Sequence, residues 1–599
     1  MRHCFFIFVF LFVCSTFIKG QDNLLIYSIQ VLDSEEKTNE ILRKSETYTS
    51  VDFVGINLDE ILEHDVFRLQ IGGRNIPIKK ERIDARGINN YVFVGSNNEG
   101  DRVLISVLDD DIQGVIETGE DVFTIETVDK QQYALVTVDY SKLREACDDL
   151  HEGIEHSIFD DIKDYNHISD IDSYGVTNSS PILEAASAYN CKIRVIVLYT
   201  PSAQSSVSNI KNTILTAVAL TNLSFTSSLI NYQIELVYAG RTEYTELYYS
   251  TDLLRFKTIG DGYMDEVHTL RNKYSADICV LLTHDDDLCG IASGIGVTQT
   301  DAFCLVSTYS TCATSYYSFG HEIGHLLGCR HDPYIDNNTT PFAYGHGYVH
   351  PSNAWRTIMA YGNACSGCPR LLYWSNPDVT YGGEPMGSAA THDNSRVWNE
   401  RSNTVMAFRQ PDNNVTFTSS DMPNTQYADV IAKQNITTNG TVNVNSGNTL
   451  NMRAGNSINL QPGFSVQAGA EFSAQIEDIY DCEECALTRP EIMAQTVIEA
   501  FDDMDNSLAE ERNDYSYSVF TNSSNGYINF AYSLDEEMPM CITMVDLFGQ
   551  EIKTILPMQN QQAGNYSLII PVSDYSTGIF FLTISSTNQK KTVKITINR

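Results

Sequence analysis

Between positions 21 and 188 short apolar runs alternate with acidic loops. DVFRLQI (65–71), NYVFVG (90–95), DRVLISVL (101–108), GVIETG (114–119) and YALVTVDY (133–140) read as short strands. Asp148 to Ser180 is polar and acidic, with little periodicity. The pattern changes near Cys191. CKIRVIVLYT (191–200) predicts a strand ending at Pro201, and 203–229 predicts a helix with Val207, Ile210, Ile214, Ala217 and Val218 on one face. YQIELVYAG (232–240) is the next strand and 262–273 a second helix. ADICVLLT (276–283) is almost continuously apolar, as a sheet centre covered on both faces requires. CGIASGIGV (289–297) reads as a shorter edge strand, DAFCLVST (301–308) as another strand, about 317–328 as a helix, and about 394–408 as a closing helix with Val397, Val405, Met406 and Phe408 for packing. Strands alternating with helices indicate an α/β sheet layered with helices.

Beyond 410 the alternation is all β. Residues 413–476 are rich in Asn, Thr, Gly and Ser, and 442–476 repeats short runs split by Gly or Asn turns, which predicts a small β-stack or solenoid. An acidic linker follows at about 487–514. Residues 515–599 carry GYINFAYSL (526–534), MCITMVDLFG (540–549), YSLIIPV (566–572), GIFFLTISS (578–586) and KTVKITINR (591–599), the pattern of a β-sandwich.

Composition adds where the chain works. A length of 599 residues exceeds one core and suggests three to five domains. The first twenty residues, MRHCFFIFVFLFVCSTFIKG, read as a signal peptide, with Arg2 before an apolar run from Phe5 to Val13 that is too short to span a bilayer. Cys14 raises a lipoprotein alternative, although Phe12 and Val13 are bulky for it. The net charge of -38 argues against nucleic acid or an anionic membrane surface as a partner, and no other run is long and apolar enough for a transmembrane helix. Eight of the 14 cysteines lie between Cys191 and Cys368. In an exported protein that density favours disulfides, whose pairing spacing alone leaves open. Cys482 and Cys485 form a C-x-x-C for which a local disulfide is the first reading.

The chemistry concentrates in HEIGHLLGCRHD (321–332), an H-E-x-x-H-x-x-G-x-x-H pattern. On a helix His321 and His325 stand one turn apart on the same face, so both imidazoles reach one metal ion. Gly328 would end the helix in a left-handed turn, and the returning chain brings His331 as a third ligand. Three nitrogen ligands with one open position describe a catalytic zinc site. Glu322 beside the first ligand is placed to hold a metal-bound water. The five-position pattern arises by chance in roughly one chain in tens of thousands.

With Asp332 directly after the third histidine and Met359 in TIMAY, residues 190–410 resemble the metzincin zinc endopeptidases, in their reprolysin (adamalysin-like) branch. GIASGIGV followed by Cys304 looks like that branch's edge strand. The resemblance implies His321, His325 and His331 as zinc ligands, Glu322 as general base and acid, Met359 as the packing floor of a Met-turn, and Asp332 as a buried acid tying the motif to that turn. Tyr361 stands at the M-x-Y spacing of astacins and serralysins, where a tyrosine can ligate zinc and stabilise the oxyanion; a packed tyrosine is the other reading. Calcium is a further ion the family allows, without ligands that can be named. VDLFGQEIKTI, AGNYSLIIPV, STGIFFLTIS and KKTVKITINR resemble the sorting domain of bacterial type IX secretion, which implies export and the secretion machinery as a partner.

The expected organisation is a multidomain chain with an α/β zincin (metzincin) domain at its centre. It comprises a signal peptide (1–20), a β-rich propeptide (21–188), the metalloprotease domain (189–410), a small β-stack module (411–480), a linker (481–514) and a β-sandwich sorting domain (515–599). Cys147, the propeptide's cysteine, is a candidate latency thiol that would occupy the open zinc position; an ordinary thiol is the alternative. The expected activity is zinc-dependent hydrolysis of peptide bonds in protein or peptide substrates by a secreted or surface-held enzyme. The alternatives are a non-catalytic adhesin on a zincin fold, which would have no need of Glu322, and a zinc hydrolase of small or cell-wall peptides.

Overall fold

The computed structural model describes residues 24–142, 192–477, 479 and 515–597, except 32, 88–89, 120, 130, 423–424, 523–526, 535–537, 546–550, 562–563, 572–577 and 587–589. The signal peptide, Cys147 and the Cys482/Cys485 pair lie outside the described residues.

The apolar runs before 142 close into a barrel of nine strands, from Leu24–Ser28 to Gln132–Val138. All five predicted strands are present, as Val66–Ile71, Asn90–Ser96, Arg102–Leu108, Asp111–Thr118 and Gln132–Val138. Closure leaves no free sheet edge. Phe67 and Phe93 meet edge-on inside it, with ring centroids 5.2 Å apart.

The central domain is built on a sheet whose strands run in space as Gly290–Ala292, Phe303–Ser307, Ile278–Thr283, Ile193–Tyr199 and Ile234–Arg241. All but the first pair are parallel; Gly290–Ala292 runs antiparallel at one end. Ile193–Tyr199 is buried throughout because its two faces serve two cores. Val195 and Val197 pack with the long helix Ile210–Ser227, whereas Ile196 and Leu198 pack with Phe256 and Val267 of the opposite layer. The long helix is buried nearly all round, although its sequence predicts one apolar face. Its second side meets the barrel: Val92, Val94, Leu104 and Val115 join the same core, and Ser106 Oγ donates to Asn212 Oδ1 at 2.6 Å. The helix Tyr249–Lys257 was not expected; its apolar positions are too few and polar residues too many for its period to stand out.

The Asn/Thr-rich segment forms parallel strands in stacked coils, with Thr425–Ala432, Thr449–Ala454 and Glu471–Ile476 on one side. Thr449 and Glu471, 22 residues apart in the chain, are hydrogen-bonded neighbours. Its composition has a physical role here. Asn435 Nδ2 donates to Asn414 Oδ1 at 2.7 Å and Asn456 Nδ2 to Asn435 Oδ1 at 2.9 Å, so identical side chains bond up the stack. The sequence suggests a separate module; in the structure Thr425–Ala432 pairs antiparallel with Ile234–Arg241, so the stack continues the catalytic sheet to eight strands. At this junction Arg453 reaches Asp429 and Glu235, each at 2.9 Å. Burial opposes charge on both acids. Arg453 and Lys192 overcome it at Glu235, whose pKa is lowered, whereas burial, with Glu235 facing it, raises that of Asp429. Arg453→Met would leave Asp429 without its ion-pair partner and Glu235 with Lys192 alone. It is expected to cost about 3 kcal/mol, read as a lower urea midpoint of tryptophan fluorescence.

The described residues from 515 onward form a separate unit. It holds two antiparallel sheets, one of Tyr515–Asn522, Tyr527–Leu534 and Gly564–Pro571, the other of Met538–Val545, Glu551–Gln561, Gly578–Ser586 and Lys590–Ile597. Met540, Ile542 and Met544 alternate onto one buried face. The strands Tyr515–Asn522 and Glu551–Gln561 are additions to those legible in the sequence. No described helix is long and apolar enough to cross a membrane.

Candidate metal centre

The motif lies on the helix Ser318–Leu327, all ten residues of which are buried. Gly328 ends it at φ 119°, with its N–H donating to Gly324 O at 3.1 Å and the Cys329 N–H donating to the same oxygen at 2.9 Å. A side chain at Gly328 would also meet the Phe342 ring at 2.9 Å. The chain therefore turns back tightly and His331 faces the helix.

The Nε2 atoms of the three histidines converge. His331 Nε2 lies 3.2 Å from His321 Nε2 and 2.9 Å from His325 Nε2. The outer nitrogens set the tautomers. His321 Nδ1 bonds to Ile358 O at 3.0 Å and His325 Nδ1 to Cys329 O at 2.8 Å. A carbonyl only accepts, so each Nδ1 carries the proton and each Nε2 of a neutral ring presents a lone pair. Lone pairs converging at these distances repel, and a cation between them removes that repulsion. A tetrahedral ion with bonds of about 2.0–2.1 Å would hold its nitrogens about 3.3 Å apart, close to the spacing seen. The donor set fits zinc. Asp285, Asp286 and Asp287 are the other described group of ligand-type side chains brought close together, but an exposed acidic loop of this kind gives the calcium expectation no support.

Glu322 is 3% exposed and its Oε2 has no hydrogen-bond partner among the described residues. Burial pushes its carboxyl up to about 8, against the opposing charge of Arg370. Asp332 is buried as well; its Oδ2 accepts from the Tyr361 N–H at 2.9 Å and its Oδ1 from the Tyr334 N–H at 3.1 Å. Burial raises its pKa, and those donors oppose the rise. The acid thus joins the end of the motif to the residue two beyond Met359. Met359 is fully buried, its sulfur 3.3 Å from where a side chain at Gly324 would begin. The Tyr361 ring lies against His331, with centroids 4.0 Å apart, and parallel to that of His321 at 6.1 Å.

Several residues of the site are invisible in the motif. A Cβ at Gly290, on the edge strand, would fall 2.7 Å from Glu322 Oε1 and 2.8 Å from Leu305 O. Glycine is what lets the strand and the glutamate approach. The edge strand itself was legible, but which of its glycines faces Glu322 was not. Arg356 braces the turn through Ala360 O at 2.6 Å and Cys368 O at 3.0 Å. Arg370 stacks on the Tyr316 ring at 4.0 Å and donates to Tyr316 O at 3.0 Å. Of the clustered cysteines, Cys365 pairs with Cys368 beside this turn and Cys289 pairs with Cys312, the disulfides the cysteine density favours; Cys279, Cys304 and Cys329 are buried thiols.

Residues 189–375 match the model of metallo-peptidase family M12, and residues 518–598 match that of a secretion system C-terminal sorting domain. The chain is 48% identical over 229 residues to a peptidyl-Asp metalloendopeptidase of Xanthomonas campestris, and 45% identical over 251 residues to one of Stenotrophomonas maltophilia strain R551-3. These matches cover 38% and 41% of the chain, and only 54% and 59% of the relatives' own length. A third such enzyme, from Stenotrophomonas maltophilia strain K279a, is 38% identical over 320 residues, covering 53% of the chain and 72% of that protein. Three converging imidazoles, a buried glutamate beside them and these likenesses agree: the chain belongs to metallo-peptidase family M12, in the group of the peptidyl-Asp metalloendopeptidases.

Proposed function

We propose that the chain is a secreted zinc endopeptidase that hydrolyses polypeptides at aspartate residues. The observation that carries the hydrolytic reading is the convergence of three imidazole Nε2 atoms beside a buried carboxyl that is not one of them. The preference for aspartate is taken from the names of the relatives.

Bound at His321, His325 and His331, zinc supplies Lewis acidity, which acidifies water and polarises a carbonyl. Glu322 takes the proton of the attacking water and delivers it to the departing amine. The open side of Gly290–Ala292 hydrogen-bonds to an extended substrate by β-augmentation. The Tyr361 hydroxyl donates to the developing oxyanion. Met359 and Asp332 keep the floor and the returning chain in register.

The N-terminal barrel belongs to a propeptide. Tyr317 Oη donates to Glu117 of the barrel at 2.5 Å, and the Arg102 guanidinium lies 4.1 Å over the Tyr373 ring. With the barrel docked, His321, His325, His331 and Glu322 are each at most 4% exposed, a closed state suited to a precursor. Cys147 as a latency thiol remains part of this proposal. The sorting domain directs export across the outer membrane.

The test uses paired peptides that differ only in aspartate or alanine at one position. The processed chain is expected to cleave the aspartate peptide, lose all activity with a zinc chelator and regain it on adding zinc. Cleavage that persists through complete metal removal would refute the assignment.

A further inference from the structure

His321 and His325 take their places from the helix Ser318–Leu327, but His331 lies beyond its end, outside any helix or named strand. The segment Y-G-H-G-Y (344–348) holds it there. The Arg330 N–H donates to Gly345 O at 2.7 Å and the Gly347 N–H to Arg330 O at 2.9 Å, so a parallel bridge joins Arg330 to His346. The His346 ring then reaches the next residue along: its Nδ1 donates to His331 O at 2.8 Å. His346 is 2% exposed, so little water can stand in for that donor. The segment is itself fixed on its other sides. A Cβ at Gly347 would fall 2.5 Å from Ala360 N and 2.6 Å from the Met359 carbonyl carbon, so the backbone is pressed directly onto the turn at Met359. The Thr357 N–H donates to Tyr348 O at 2.9 Å, and Ser375 Oγ donates to His346 O at 2.7 Å. The donor that meets His331 is therefore carried by a braced segment.

We propose that His346 is a positioning residue for the metal centre: its ring N–H fixes the carbonyl of His331 and with it the direction in which the third imidazole faces the other two. This rests on the zinc reading given under Proposed function. The carbonyl oxygen belongs to the rigid peptide plane that follows His331, so holding it sets the backbone from which that side chain leaves. The imidazole then has only its staggered rotamers to choose from. Without the donor the carbonyl is left buried and short of a partner, and the returning chain is free to rotate towards another one. Partners outside the ligand set commonly change metal affinity by about ten- to a hundredfold.

The test strips the full chain of metal and titrates it with zinc against a chromophoric chelator, then with cobalt(II), whose visible absorption reports ligand geometry. His346→Phe keeps a ring and removes the donor. It is expected to bind zinc about ten- to a hundredfold more weakly and to shift the cobalt bands. His346→Asn carries an amide N–H at the place of the ring Nδ1. It is expected to stay within about threefold of wild type with the wild-type cobalt spectrum, a rescue that loss of packing alone would not give. A wild-type chain that binds no zinc would sink the zinc reading and this assignment with it. A wild-type chain that binds zinc, with His346→Phe equal to it in affinity and spectrum, would sink the assignment alone. Should His346→Phe fail to fold, His346→Asn decides: affinity within about threefold of wild type upholds the donor role, and a loss of about tenfold or more, by whatever route, overturns it.

Discussion

Glu322→Ala is expected to bind zinc at full stoichiometry while kcat/KM falls by about a thousandfold or more, in the upper part of the range for loss of a general base. In the proposed site the metal would be held by His321, His325 and His331, whose Nε2 atoms converge without help from the carboxylate. Their orientation comes from Ile358 O and Cys329 O, and the substitution touches neither. What is lost is the acceptor and donor of the transferred proton. Metal analysis alongside peptide kinetics separates the two roles. Wild-type turnover by a zinc-loaded Glu322→Ala chain would remove the glutamate from the mechanism, and loss of zinc would make it a ligand instead.

The second large effect is expected at a residue with no functional group. Gly290→Ala would place a methyl 2.7 Å from Glu322 Oε1 and 2.8 Å from Leu305 O. The glutamate can swing aside, but the Leu305 carbonyl belongs to the neighbouring strand and cannot move without breaking the Ile291–Leu305 pairing. Overpacking of this kind costs about 1–3 kcal/mol. Displacing a proton-transfer group by about 1 Å costs on the order of a hundredfold in rate. Activity should therefore fall far more than stability, with zinc retained. The pair of readouts is kcat/KM and the thermal midpoint; an alanine variant of normal activity would show that the edge strand yields freely and does not position Glu322.

These two sites differ in how they can be read. His321, Glu322 and His325 are neighbours on one helix, and helical geometry alone brings the histidines together, so their spacing is sufficient evidence. Gly328 and His331 lie within one further turn and were equally legible. The strands of the barrel and of the central sheet were legible for the same reason, because alternation and continuous apolar runs are local properties. The helix Tyr249–Lys257 and the strands Tyr515–Asn522 and Glu551–Gln561 have weak local patterns and take their shape from what they pack on.

What the sequence by itself determined is the turn that brings the three histidines together and most of the strands and helices among the described residues, since these depend on residues a few positions apart. Only the tertiary structure decided what surrounds them. It chose Gly290 as the neighbour of Glu322, 32 positions away, and set Arg370 over the ring of Tyr316. It paired Cys289 with Cys312 and left Cys304 a thiol, a choice no spacing reveals. It joined the Asn-rich stack to the catalytic sheet through Ile234–Arg241 and buried the second side of the long helix under the barrel. Each is a contact between distant parts of the chain, whose free energy depends on the shape of both partners once folded, and no local period records that shape.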